Sequence, residues 1–167
     1  MSAKRQINKI LVANRGEIAV RILRSIKEMG LKSALLFHRV EADSPSLKMA
    51  DEIYEVTGDT PVAAFLDIEN IVKICRENDI DAVHPGYGFL AENAKFVEAL
   101  DEAGIQFIGP RPEVMTLMGD KIGSRNFVQE RGFPVAPSVL DTGDAEQFIA
   151  RIMEIGFPLV IKASAGG

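Results

Sequence analysis

Apolar residues in this chain fall into short unbroken runs, separated by longer stretches in which they recur every three or four positions. Residues 9–13 (KILVA) are the first run, and Asn14-Arg15-Gly16 is a turn after it. Ile18, Ile22, Ile26 and Met29 then return at helical spacing, with Arg21, Arg24, Lys27 and Glu28 mainly on the other side, so strand, loop and helix are predicted in that order. Gly30 stands where a left-handed residue ends a helix, and the run at 33–37 completes a βαβ unit. A less regular cycle follows: Ser44-Pro45 reads as an N-cap and first helical residue, and 53–56 as a short strand. Asp67 is a suitable N-cap for a helix carrying Ile68, Ile71, Val72 and Cys75 on one face, after which 82–84 is a buried strand. Phe96, Val97, Leu100 and Ala103 mark a further helix, Gly104 its end, and 106–108 the next strand.

Strands alternating with helices call for a parallel sheet with crossover connections. The expected fold class is therefore α/β, a Rossmann-like parallel sheet with flanking helices over about residues 7–110, within a first domain at 1–110. After Gly109-Pro110 the pattern changes. Stretches 112–118 and 120–130 read as consecutive helices with no strand between them, so 111–133 is expected to be a helical connection. An incomplete second domain is expected at 134–167, with Asp144 capping a helix that bears Phe148, Ile149 and Ile152, and a buried strand at 159–162. The chain ends within a glycine-rich turn after that strand, which leads us to expect a nucleotide enzyme cut short.

Composition narrows the function. Of 167 residues, 47% are hydrophobic and 26% charged, enough to bury a core, and no apolar stretch approaches the roughly 18 residues of a membrane span. A net charge of −5 argues against a surface that tracks nucleic-acid phosphates. The apolar run from Ile10 is broken at Asn14 and Arg15, so the h-region of a secretory leader is not expected, and the expected location is the cytoplasm, or the mitochondrial matrix after removal of a transit peptide. The single cysteine, Cys75, lies on an apolar helix face and reads as a buried, inert thiol. His38 and His84 have no metal-ligating partner at suitable spacing, so no metal site is expected within the chain.

Ligands of open α/β sheets bind beyond the carboxyl ends of the strands, which directs attention to four loops. ANRGEIA at 13–19 sits where a dinucleotide-binding turn would lie, but it has one glycine, Gly16, where that fingerprint needs three. The strand ending Phe37-His38-Arg39 also lacks the acidic residue that would take a ribose hydroxyl. Asn14 and Gly16 can equally serve only to shape a tight turn. In HPGYGFL at 84–90, two glycines flank Tyr87 and hold a flat ring on a backbone that can approach a ligand; the alternative is a turn with Tyr87 and Phe89 packed as core. Lys121 falls in the first turn of a helix, where the dipole disfavours it unless an anion is near. Lys162 lies within an apolar strand, where a lysine needs a solvent-facing side or a counter-charge.

Taken together and in order, KILVANRGEIAVRILR, HPGYGFLAEN, IGP, MGDK and FPLVIKAS resemble the N-terminal part of biotin carboxylase, a component of acetyl-CoA, propionyl-CoA and pyruvate carboxylases in the ATP-grasp superfamily. HPGYGFLAEN is the specific element; the family's commoner form has serine where this chain has Ala91. The resemblance implies an enzyme that uses Mg-ATP and bicarbonate to carboxylate biotin on a carrier protein through carboxyphosphate. It implies that Lys121 and Lys162 contact the nucleotide phosphates, that Gly166 and Gly167 open the glycine-rich lid, and that Tyr87 and Gly88 lie beside the biotin ureido ring. Arg21, Arg24 and Glu28 would contribute to a homodimer contact, although a solvated charged face is the plain alternative. The implied partners are a biotin carboxyl carrier protein or domain and a carboxyltransferase. The Mg2+ ligands and catalytic groups of the family would lie beyond Gly167.

Two charge-assisted hydrogen bonds contribute roughly 3 to 6 kcal/mol, short of the roughly 8 kcal/mol of a micromolar complex. Residues 1–167 alone are therefore expected neither to bind ATP tightly nor to turn over. Two other readings stand beside this one: a noncatalytic dimerisation or scaffold module of a larger carboxylase, and a nicotinamide-binding dehydrogenase domain, which the missing glycines disfavour.

Overall fold

A computed structural model describes residues 6–141 and 143–161. The chain divides into two compact units, Met1–Met115 and Thr116–Gly167. The first is built on five parallel strands in the order β3-β2-β1-β4-β5: β1 (Lys9–Val12), β2 (Lys32–Phe37), β3 (Glu52–Glu55), β4 (Ala82–His84) and β5 (Gln106–Phe107). Helices α1 (Gly16–Glu28), α2 (Pro61–Phe65), α3 (Ile68–Glu77) and α4 (Ala94–Glu102) connect them, and α5 spans Pro112–Gly119.

The alternation of side chains along the central strands explains the three layers. Leu11 of β1, Ala34 and Leu36 of β2 and Val83 of β4 join Ile71, Val72 and Cys75 of α3 and Phe96, Val97 and Leu100 of α4 in one core. Ile10 and Val12, Leu35 and Ala82 face the other way, onto Ala19, Ile22, Leu23 and Ile26 of α1. A strand buried on both faces reads as a continuous apolar run rather than an alternating one, which is why KILVA was recognisable as β1. The register Leu11↔Ala34 and Leu11↔Val83 keeps like-facing residues level across the sheet. Cys75 is 1% exposed, and burial pushes its thiol up to about 12, so it stays protonated.

Helix ends follow their capping residues. The side chains of Asp67 and Asn93 accept from the Asn70 and Phe96 amides, and Gly30 follows α1 at φ +70°. Two expectations need correction, and one short helix was not foreseen. Ser44 makes no cap bond, and Pro45–Lys48 is a single 3-10 turn; the Ser44 hydroxyl is engaged with that of Ser46 at 2.8 Å. β3 begins one residue earlier than expected, because Glu52 is held in the ladder by lysines from two other strands while Val56 turns into the core. α2, capped by Thr60, is too short to show a helical period in sequence.

In the second unit, α6 (Lys121–Glu130) is capped by Asp120 and α7 (Ala145–Ile155) by Asp144, and neither helix has a buried residue. The expected strand at 159–162 is not observed over 159–161, where Val160 and Ile161 are exposed. A strand exists only against a partner that takes up its backbone groups, and among the described residues of this unit there is none. Lys162 itself lies outside the described residues.

Candidate functional site

The sheet runs outward from β1 through β2 to β3 on one side and from β4 to β5 on the other, so the chain reverses direction between β1 and β4. Crevices for ligands open at the carboxyl end of such a switch point. A cleft of about 420 Å³ lies there, lined by Asn14 to Ile18, Glu41, Tyr87, Gly88 and Phe89. It therefore joins the loop after β1 to the loop after β4, two segments that the sequence had marked separately.

Asn14 makes that junction. It is 3% exposed, its side-chain amide donates to Pro85 O and Tyr87 O at 2.7 Å each, and its Oδ1 accepts from the Arg15 amide at 2.8 Å. A buried amide is stable only when so satisfied. Gly86 lies against it at φ +66°, and a Cβ there would come within 2.7 Å of the Asn14 nitrogen, so both backbone conformation and space require glycine. His84 Nδ1 accepts from the Gly86 amide at 3.0 Å, and burial lowers the His84 pKa, which keeps the ring neutral and that lone pair available. His84 is thus a satisfied strand-end histidine.

Tyr87 is 61% exposed, which removes the reading that packed it into the core. Its hydroxyl donates to Glu17 Oε1 in the first turn of α1, and that bond raises the phenol pKa. Phe89, with φ 42°, stacks on the buried Phe65 at 5.1 Å, and the Arg15 guanidinium stands 5.9 Å from its ring. Arg15 Nη1 also donates to Glu41 Oε1 at 2.7 Å, while Glu41 Oε2 is buried with no partner among the described residues. The cleft thus offers a flat apolar ring, a glycine backbone with open space in front of it, and two carboxylates against one guanidinium. This set suits a planar, uncharged ligand with polar edges better than a triphosphate.

The remaining expected site residues lie elsewhere. Lys121 is the first residue of α6, in the second unit. Lys162, Gly166 and Gly167 fall outside the described residues. Arg21, Arg24 and Glu28 are exposed on α1, where Arg21 Nη1 donates to Ser25 Oγ at 2.5 Å. Glu17 and Glu41 carried no sequence signal as site residues, and Asn14 was visible only as a turn former.

A family model for the N-terminal domain of biotin carboxylase matches residues 6–115. The chain belongs to that family. It is 44% identical over 161 residues to a biotin carboxylase from Halalkalibacterium halodurans, covering 95% of this chain and 35% of that protein. It is 42% identical over 166 residues to the mitochondrial pyruvate carboxylase of Homo sapiens, covering 96% of this chain and 14% of that protein. Among solved structures, the biotin carboxylase domain dimer of Hydrogenobacter thermophilus 2-oxoglutarate carboxylase, in complex with MgADP, ADP and bicarbonate, superposes with a TM-score of 0.89 at 43% identity, over 98% of this chain and 36% of that one. A β-γ-ATP complex of biotin carboxylase from Campylobacter jejuni gives a TM-score of 0.91 at 42% identity, over 97% and 36%. The chain spans a little over a third of the length of such biotin carboxylases. The Rossmann-like α/β expectation agrees with the fold of these biotin carboxylase domains.

Proposed function

We propose that this chain forms the N-terminal part of an ATP-dependent biotin carboxylase, in which bicarbonate is activated as carboxyphosphate and the carboxyl group passes to a ureido nitrogen of biotin on a carrier protein. The observation that carries this reading is near-complete coverage of the chain by a biotin carboxylase domain solved with MgADP and bicarbonate. The geometry favours a division of labour. The switch-point cleft, with its Tyr87 ring, Gly88 backbone and excess of carboxylates, takes the uncharged bicyclic ring of biotin. Lys121, at the start of a ten-residue helix, supplies positive charge to the nucleotide phosphates, and the dipole cost of a lysine there is relieved when the anion is bound. Lys162, Gly166 and Gly167 are its expected partners in an ATP-grasp domain that begins near residue 134. ATP with Mg2+ supplies the energy for activating bicarbonate when bound.

Arg21, Arg24 and Glu28 fit a homodimer contact: all three project from one exposed stretch of α1, and the Hydrogenobacter thermophilus domain is a dimer. A biotinylated carrier and a carboxyltransferase complete the assembly.

The test is an assay of the full-length protein. Bicarbonate-dependent ATP hydrolysis stimulated by free biotin is expected, and its absence overturns the proposal. Lys121→Ala is expected to raise the KM for ATP roughly tenfold or more, as for loss of one charge-assisted hydrogen bond, and to leave the KM for biotin unchanged. An unchanged KM for ATP would remove Lys121 from the nucleotide site.

A further inference from the structure

We infer that Asn14 and Glu17 are positioning residues for the Tyr87–Gly88 backbone and ring, so that the loop after β1 sets the wall of the cleft against which the biotin ring lies; the inference rests on the placement of biotin proposed above. Residues 85–90 form neither helix nor strand. Gly86, Gly88 and Phe89 all have positive φ, a region that glycine visits freely and that other residues occupy only under constraint. The constraint comes from the other loop.

One amide nitrogen of Asn14 takes both the Pro85 and the Tyr87 carbonyls. A trans peptide is planar, with its C=O and the following N–H pointing in opposite directions. Fixing Tyr87 O on Asn14 therefore turns the Gly88 N–H away from Asn14. No acceptor for that N–H exists among the described residues, and a Cβ on Gly88 would meet nothing within 4 Å, so the donor is unpartnered on a residue with open space beside its backbone. The preceding carbonyl obeys the same geometry: Pro85 O points to Asn14 while the Gly86 N–H goes to His84. At the other end of Tyr87, Glu17 holds the phenol and so fixes where the tip of the ring lies. Asn14 also secures its own side by accepting the Arg15 amide at the start of α1. The Asn14 amide and one oxygen of Glu17 are engaged by protein partners, which makes them positioning groups and leaves the Gly88 amide and the Tyr87 ring for the ligand.

Steady-state kinetics of the full-length enzyme with free biotin test this. Asn14→Ala is expected to raise the KM for biotin about tenfold with the KM for ATP changed by less than about twofold, and to speed hydrogen exchange in residues 84–90. Glu17→Ala is expected to raise the biotin KM about threefold, and Glu17→Gln, whose amide oxygen still accepts from the phenol, to restore most of it. If Asn14→Ala does not fold, the Glu17 pair decides alone. Equal rises in the biotin and ATP constants would mean general damage and overturn the inference. So would an unchanged biotin KM in Asn14→Ala and Glu17→Ala; if Tyr87→Ala still raises it, the placement of biotin survives. An unchanged biotin KM in Tyr87→Ala removes that placement, and the inference with it.

Discussion

The two edges of the central sheet carry similar polar residues and put them to opposite uses. At the amino-terminal edge, Glu52 is engaged by Lys9, Lys32 and Tyr54, Lys9 also donates to Asn78 O, Asp81 accepts the Asn8 and Lys9 amides, and Asp51 and Ser33 share three hydrogen bonds. These contacts run from strand to strand and leave the network closed. At the carboxyl-terminal edge, one oxygen of Glu41 and the Gly88 amide have no partner among the described residues, Phe89 has an unfavourable φ, and Tyr87 is exposed. Polar satisfaction at one edge ties strands together, whereas partial satisfaction at the other leaves groups for a ligand. Asp79, at φ 49°, gives the amino-terminal edge a strained residue of its own, so it is the unpaired polar groups rather than strain that set the carboxyl-terminal edge apart as a binding site.

The largest effect is expected where that open edge is pinned. Gly86→Ala puts an L-residue at φ +66° and drives its Cβ against Asn14, so a loss of about 1–3 kcal/mol is expected in denaturant unfolding. The biotin KM should rise with it, since the Asn14 contacts cannot all survive. A variant of unchanged stability and unchanged biotin kinetics would show that the loop relaxes without consequence, and the distinction between the edges would lose half its content.

The sequence disclosed these two edges unevenly. KILVA, the 33–37 run and the helical spacing of α1 were legible because burial on both faces of a strand, or on one face of a helix, writes itself into consecutive residues. HPGYGF was legible as a ligand loop because its glycines are needed locally. Asn14 was not legible as its clamp: the residues it bonds are 71 and 73 positions away, and a buried asparagine looks in sequence like any turn former. Glu17 and Glu41 were missed for the same reason, since their roles arise only when the chain reversal brings three loops together. The strand expected at 159–162 is not formed over 159–161 from the opposite cause, as apolar composition signals burial only where a partner exists to bury against.

At the closed edge the effect should be smaller and should depend on pH. Lys32, Tyr54 and Lys9 hold the Glu52 carboxyl at about 2, below its ordinary 4.5. The unfolded chain therefore takes up a proton at Glu52 before the folded one does, and the stabilisation is complete above about pH 4.5 and lost as pH falls towards 2. Glu52→Gln is expected to cost about 1 kcal/mol at neutral pH, discounted for the partial exposure of the cluster, and to flatten the acid limb of the stability profile. Biotin kinetics should not change. A parallel acid limb in the variant would show that other carboxylates carry it.

The smallest effect belongs to a charge pair that sits at neither edge. Lys73 and Glu77 lie 3.8 Å apart on the surface of α3, both well exposed, with the lysine amino-terminal to the glutamate, the weaker of the two orders for an i,i+4 pair. Lys73→Gln keeps helix propensity nearly constant and removes only the pairing, so the expected loss is no more than about 0.3 kcal/mol and should vanish in high salt. This variant calibrates the closed edge. If it costs as much as Glu52→Gln, then joining three partners at Glu52 adds nothing beyond an isolated surface pair, and the amino-terminal network is ordinary surface charge. A several-fold smaller loss means that cross-strand convergence on one carboxylate is what gives that edge its stability.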